Sequence, residues 1–189
     1  MKLPPVILAS ASPRRRELLK QLDIEFIVVP SDAPELHHED LTVVEISQLN
    51  AYRKARQVSK HHPDSLVIGA DTLVCLGTRL YGKPSTREEA ADMLGQLSGH
   101  THSVVTGVCL LHLRGHHQQV FAETSFVTFH ALSEDRIAAY LDRVDPLDKA
   151  GGYAIQESGE LIVENIIGSF TNVVGLPLAR FREELAMWT

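Results

Sequence analysis

Cysteine is nearly absent: Cys75 and Cys109 are the only two in the chain. Both lie in apolar runs, "TLVCL" and "GVCLL". That context fits buried free thiols rather than a disulfide framework, and a reducing, cytoplasmic setting is the expectation. Aromatic residues are also scarce, at 6%, and the net charge is −6. Single-stranded nucleic acid needs rings interleaved with basic residues, so no nucleic-acid partner is expected. An acidic chain is likewise not drawn to an anionic membrane. No apolar run reaches the length of a bilayer span. The opening "MKLPPVILAS" holds two prolines and runs straight into three arginines, so it does not read as a signal peptide. No G-x-S-x-G is present, which removes the commonest serine-hydrolase signature. Histidines occur as the adjacent pairs His37–His38, His61–His62 and His116–His117, with His100 and His102 apart. Neighbouring side chains diverge and no H-x-x-x-H stands near an acid, so zinc is not expected. Repeats, linkers and low-complexity tracts are missing as well. One domain over residues 1–189, with two lobes, is the expectation.

What is present alternates between strand and helix patterns. Apolar residues make up 44% of the chain, enough for a sizeable core. "PVILAS", "EFIVVP" and the short run "LVIGA" read as strands, the last buried on both faces. "PRRRELLKQL" reads as a helix with Ser12 as N-cap, Pro13 at the first helical position, and Leu18, Leu19 and Leu22 inward. "SDAPELHHEDL" is polar and irregular, hence a loop. Thr42 with Glu45, and Thr86 with Glu89, form capping boxes that open two more helices. The first runs to about His61 with Ile46, Leu49 and Val58 inward. The second carries Ala90, Met93, Leu94 and Leu97. "HSVVTGVCLLHL" and "QVFAETSFVTFHAL" flank "RGHHQ" as a long hairpin. Ser133 caps a helix with Ile137, Tyr140, Leu141 and Val144 inward. "GGYAIQ" and "ELIVENII" read as strands, and "LPLARFREELAMW" as a closing helix. The alternation reads as one α/β domain.

Three stretches at strand ends carry the chemistry, the usual place for sites in such folds. In "SASPRRR" the helix start holds cations where the helix dipole favours an anion. Arg14, Arg15 and Arg16 point in different directions, so at most two serve one site. The cluster reads either as a phosphate site or as a solvated basic face. Asp71, after "LVIGA", reads as a metal ligand or water-activating group, or as a turn cap. Gln156, in "GYAIQ", has an amide that both donates and accepts, which suits a nucleobase edge; it also reads as an ordinary sheet-edge residue. "GTRLYGKPS" matches G-x-x-x-x-G-K, but Pro84 stands where a phosphate loop needs Ser or Thr. A hairpin turn is the expectation there, with Lys83 able to touch phosphate as a point charge.

Seven stretches in order, "LASASPRRRELL", "AYRKA", "IGADTLV", "GKP", "LSGHTHSVVTGV", "PLDKAGGYAIQ" and "NVVGLPL", resemble the Maf family of nucleotide pyrophosphatases. The resemblance implies hydrolysis of a nucleoside triphosphate to the monophosphate and pyrophosphate, with Mg²⁺ or Mn²⁺. It implies an α/β fold with a mixed central sheet and flanking helices, two lobes around a cleft, as in Maf and ITPase-like folds, and often a homodimer. By the same resemblance Asp71 is the general base, and Glu35 or Asp71 holds the metal. Ser10, Arg15, Glu35, Lys54 and Lys83 line the cleft. Arg14, Thr72 and Gln156 stand at positions linked to substrate choice, and these three residues resemble the branch acting on dTTP and UTP. The chain departs from the family pattern at Glu157, where Gly is common, at Phe170, where Tyr is usual, and at "DAPE", where "VDE" is typical. The other reading is a nucleotide-binding regulator of cell division without essential catalysis, in which Asp71 is dispensable.

Overall fold

A computed structural model describes residues 3–36, 38 and 40–188; Met1, Lys2, His37, Glu39 and Thr189 lie outside the described residues. The first histidine of the pair at 37 and 38 is therefore not placed. The elements follow as β1 (Val6–Leu8), α1 (Pro13–Lys20), β2 (Phe26–Val28), α2 (Val43–Ser59), β3 (Leu66–Leu76), β4 (Arg79–Tyr81), α3 (Arg87–Leu97), β5 (Thr101–His112), β6 (His117–Phe129), α4 (Glu134–Leu141), β7 (Val163–Ile167), α5 (Phe170–Val174) and α6 (Leu178–Ala186). Single 3₁₀ turns at Ala150–Gly152 and Gly159–Leu161 lie between α4 and β7. Seven strands form one sheet in the order β2-β1-β3-β5-β6-β7, with β4 paired to β3. β1 runs parallel to β2 and β3, whereas the β3–β4 and β6–β7 pairs are antiparallel. The sheet is therefore mixed, with helices supplying the remaining layers. No helix among the described residues is long and apolar enough to cross a membrane.

The chain forms two compact units, and β3, β5 and β6 each run from one into the other. The first comprises Met1–Thr72, Thr106–Glu123 and Gly175–Thr189. Its core gathers Ile7, Ala9, Val67, Cys109 and Leu111 from strands with Ala51, Ala55 and Val58 from α2. α2 starts at the Thr42 cap, where the Thr42 hydroxyl accepts from Glu45 N and the Glu45 carboxylate accepts from Thr42 N. At the C-terminal end Trp188 stacks on His117 with ring centroids 3.8 Å apart, and its indole N–H donates to Gln119 Oε1 at 3.1 Å.

The second unit comprises Leu73–Val105 and Thr124–Val174. Its core is ring-rich: Tyr81, Phe129, Tyr140 and Tyr153 pack with Leu94, Leu97, Ile137 and Ile162. α3 and α4 begin at Thr86 and Ser133, whose hydroxyls accept from Glu89 N and Arg136 N. Cys75 and Cys109 are buried free thiols.

Four expectations need correction. The Thr86–Glu89 box is only half formed: Thr86 accepts from Glu89 N, but the Glu89 carboxylate accepts from Ser85 N in place of Thr86 N. β3 does not stop at Ala70 but runs to Leu76, so Asp71 sits within the strand and not after it. The reason is that "TLVCL" is itself apolar, and Val74, Cys75 and Leu76 continue the ladder by pairing with β4. "GGYAIQ" is not a strand: Gly151 and Gly152 adopt φ +73° and +74°, and the Ala154 amide and carbonyl bond the Tyr140 hydroxyl instead of a neighbouring strand. "ELIVENII" yields a strand only from Val163, because Gly159–Leu161 turns as a 3₁₀ helix first. The sequence also hides α5. Five residues are too few to show a period, but Ser169 caps it, its hydroxyl accepting from Asn172 N at 3.1 Å.

Candidate active site

Two glycines fix where α2 lies. A Cβ on Gly69 of β3 would fall 2.2 Å from the Ala51 carbonyl oxygen, and one on Gly107 of β5 would fall 2.3 Å from the Ser47 carbonyl oxygen. Only a missing side chain lets the helix backbone approach the strands this closely. Alternation along β3 then puts Asp71 on the same face as Gly69, toward α2. Asn50 and Lys54, four residues apart, share one face of the helix. The result is a buried polar cluster. Asp71 is 3% exposed. Its Oδ1 accepts from Lys54 Nζ at 2.6 Å, and its Oδ2 accepts from Asn50 Nδ2 at 3.0 Å. Lys54 Nζ also donates to Glu35 Oε1 at 2.7 Å.

Asn50 does more than hold Asp71. Its Oδ1 accepts from Leu36 N at 2.8 Å, and its Nδ2 donates to Leu36 O at 3.2 Å. One buried amide thus ties the loop carrying Glu35 to the strand carrying Asp71. The "DAPE" departure leaves Glu35 beside Lys54, with Asp71 on the ammonium's other side. Two carboxylates converging on one cation suit a hard divalent ion that draws the rest of its shell from phosphate oxygens and water. Among the described residues no group of three or more His, Cys, Asp or Glu side chains gathers as a metal centre.

A second cluster in the same unit surrounds Arg15. Ser12 caps α1, its hydroxyl accepting from Arg15 N at 3.5 Å, with Pro13 behind it. Arg15 then turns inward. Its Nε donates to Gly175 O at 2.9 Å, Nη1 to Ser10 Oγ at 3.3 Å and Nη2 to Thr72 Oγ1 at 2.9 Å. Thr72 Oγ1 lies 3.0 Å from Thr106 Oγ1. Burial pulls the Arg15 pKa below its ordinary value, and the charge of Asp71 pulls it back up; a guanidinium stays cationic throughout. Gly175 adopts φ +129°, a backbone that side chains rarely take, and so delivers its carbonyl to Arg15. Of the three arginines, Arg16 is exposed and pairs with Glu17 at 3.4 Å, while Arg14 is half-buried.

Lys83 and Gln156 belong to the second unit and are exposed. Lys83 follows β4. β3 and β4 form a hairpin whose two-residue loop is Gly77–Thr78, with Gly77 at φ +61°. Gly77 and Gly82 therefore stand at opposite ends of β4 and do not share one phosphate-wrapping loop. Gln156 Nε2 donates to Glu157 Oε1 at 3.2 Å. Ser10, Arg15 and Thr72 thus meet in one cluster of the first unit, and Glu35, Lys54 and Asp71 in another. Asn50, Thr106 and Gly175 were missed by sequence reasoning. Asn50 had one available signal, its spacing of four from Lys54 on a capped helix. Thr106 and Gly175 had none within a single sequence, because both act through distant partners.

The Maf-like protein family model matches residues 5–188. A dTTP/UTP pyrophosphatase of Geobacillus sp. (strain WCH70) is 46% identical over 180 residues, covering 95% of this chain and 96% of the relative. One from Desulforamulus reducens is 42% identical over 184 residues, covering 97% and 96%. One from Myxococcus xanthus (strain DK1622) is 48% identical over 173 residues, covering 92% and 87%. A solved HAM1 protein from Coxiella burnetii aligns at a TM-score of 0.47 and 16% identity over 79% of each chain, too distant to bear on function.

Proposed function

The chain belongs to the Maf family, and from that premise we propose that it hydrolyses dTTP and UTP to the monophosphate and pyrophosphate. Support comes from relatives bearing that name at near full length. The observation that carries the reading is Asp71. A 3% exposed carboxylate on a β-strand, held at one oxygen by an amide and at the other by an ammonium, is a costly arrangement for a structural cap. It is an economical one for a group that must stay oriented in a reaction.

In this reading Asp71 orients the attacking water or takes its proton, and the orienting role is favoured where Asp71 also holds the metal. The water oxygen attacks the α-phosphorus, the α–β bridging oxygen leaves with pyrophosphate, and the proton then passes to solvent. Lys54 and Lys83 offset charge that builds on the phosphate oxygens. Ser10 and Arg15 shape the turn whose backbone N–H groups meet phosphate at the start of α1. Glu35 and Asp71 would hold Mg²⁺ or Mn²⁺, which supplies charge neutralisation on the triphosphate. Arg14, Thr72 and Gln156 meet the base. The protein works as one catalytic domain over residues 1–189, in the cytoplasm, on a nucleoside triphosphate and without nucleic-acid or membrane partners.

A panel of dTTP, UTP, CTP, ATP and GTP with Mg²⁺ or Mn²⁺ tests this, with products separated. Release of pyrophosphate with monophosphate from dTTP and UTP is the expected result. Orthophosphate as the primary product, a preference for GTP, or no turnover of any triphosphate overturns it.

A further inference from the structure

Gln156 stands on a segment held from several directions within the second unit. Tyr153, Ala154 and Ile155 before it are buried. The Tyr140 hydroxyl accepts from Ala154 N at 2.8 Å and donates to Ala154 O at 3.0 Å. This pins the backbone two residues from Gln156. Lys149, 6% exposed, donates from Nζ to Asp145 O and to Asp148 Oδ1, each at 2.7 Å. The same ammonium lies 3.6 Å from Glu157 Oε2. The other oxygen of Glu157, Oε1, is the acceptor for Gln156 Nε2 at 3.2 Å.

The chemistry of that last contact has a direction. A carboxylate only accepts hydrogen bonds, whereas the two ends of an amide differ: one only accepts and the other only donates. Gln156 must therefore turn its nitrogen to Glu157. The reversed amide would set oxygen against a charged oxygen. With the nitrogen committed on one side, Gln156 is left with its carbonyl oxygen and one further N–H for a ligand.

We propose that Lys149 and Glu157 are positioning residues that fix the flip of the Gln156 amide, and that this selects pyrimidines carrying a ring N3–H. The inference rests on the reading of Gln156 as the base-contacting residue. Uracil and thymine present N3–H between two carbonyl oxygens. Gln156 Oε1 accepts from N3–H and its free N–H donates to the neighbouring carbonyl. Cytosine presents a bare N3 and an amino group, the reverse pattern, and needs the reversed amide. Glu157 forbids that reversal, and Lys149 keeps Glu157 in place.

The test is kcat/KM for UTP and CTP on the wild type, Glu157→Gln, Lys149→Met and Gln156→Leu, with a melting curve for each. A glutamine at 157 can donate or accept, so it tolerates either flip. The UTP:CTP ratio should fall roughly tenfold in Glu157→Gln, the scale of one misdirected hydrogen-bond pair. Lys149→Met should move the ratio the same way. Glu157 is only partly buried, so Glu157→Gln keeps the test decisive should Lys149→Met fail to fold. An unchanged ratio in Glu157→Gln, with a collapsed ratio in Gln156→Leu, overturns the positioning inference and leaves the base-reading role standing. An unchanged ratio in Gln156→Leu overturns the base-reading role and the inference together.

Discussion

The two units bury polar groups in opposite ways. In the first, charge meets charge: Asp71, Lys54 and Glu35 form one chain of contacts, and the Arg15 guanidinium is met by two hydroxyls and a carbonyl. In the second, Lys149 is likewise buried and paired, with Asp148 and Glu157, but the ring-rich core around His102 suppresses charge. His102 is 1% exposed, stacks edge-on against Phe129 and Tyr153, and shares a 2.7 Å hydrogen bond with the Tyr153 hydroxyl. Burial pushes its pKa down to about 4 and pushes the Tyr140 and Tyr153 hydroxyls well above their usual range. Ionised groups cost several kcal/mol to bury unless paired. The paired carboxylate of the first unit is held for use, whereas the neutral ring cluster around His102 in the second lends rigidity.

The sharpest way to break this contrast is Asp71→Asn. It keeps size but removes the charge that the first unit is arranged around, and it turns one of the two accepting oxygens, met by Lys54 and Asn50, into a donor. Turnover should drop ~10²-fold or more, the scale of a positioned acid–base group, at a temperature where circular dichroism shows the variant folded. Near-normal turnover would make Asp71 a structural residue and overturn its catalytic role.

The second unit should instead show itself in pH-dependent stability. Its His102 has a folded pKa of about 4 against an ordinary 6.5. The unfolded chain therefore binds a proton first as pH falls. The stability from a neutral His102 is complete above about pH 6.5 and is lost as pH drops towards 4. At about 1.4 kcal/mol per pKa unit, the loss amounts to roughly 3 kcal/mol. Denaturant titrations of wild type and His102→Gln across that range check it; equal pH slopes in both would contradict the assignment.

A smaller effect tests how the first unit is assembled. Gly69→Ala places a methyl group against the Ala51 carbonyl, so α2 must lift away. Overpacking of this kind costs about 1–3 kcal/mol, and activity should fall with it because Lys54 and Asn50 move with the helix. Full activity with lowered stability would show that the strand-to-helix distance does not set the site.

The smallest effect falls on the β3–β4 hairpin. Gly77 has open space around it but a positive φ, so Gly77→Ala should cost about 1 kcal/mol of strain and leave kcat/KM nearly unchanged. Lys83→Ala should lower kcat/KM. Equal sensitivity at the two positions would revive a phosphate-wrapping loop.

Local signals were readable where they act locally. Ser12, Thr42, Thr86 and Ser133 each cap the helix their position predicts. The near phosphate-loop motif resolves to a hairpin, as Pro84 argued. The readings that failed concern segments whose partners are remote. "GGYAIQ" looks like a strand because its residues are small and apolar, but its backbone is claimed by the hydroxyl of Tyr140. Asp71 looked like the end of a strand because polarity usually marks an end; here Asn50 and Lys54 make a buried carboxylate tolerable. In the site, the residue types and their order were legible. Which of three arginines turns inward was not, because that depends on Gly175, far along the chain.

Trp188 has an optical consequence. It is the only tryptophan and lies in the first unit, stacked on His117, whereas Tyr81, Tyr140 and Tyr153, three of the four tyrosines, lie in the second. Indole fluorescence therefore watches the ionic unit alone, while tyrosine absorbance is weighted to the ring-rich one. Coincident transitions at the two wavelengths are the mark of all-or-none unfolding, and separated ones of stepwise melting. The wild-type chain already carries both labels.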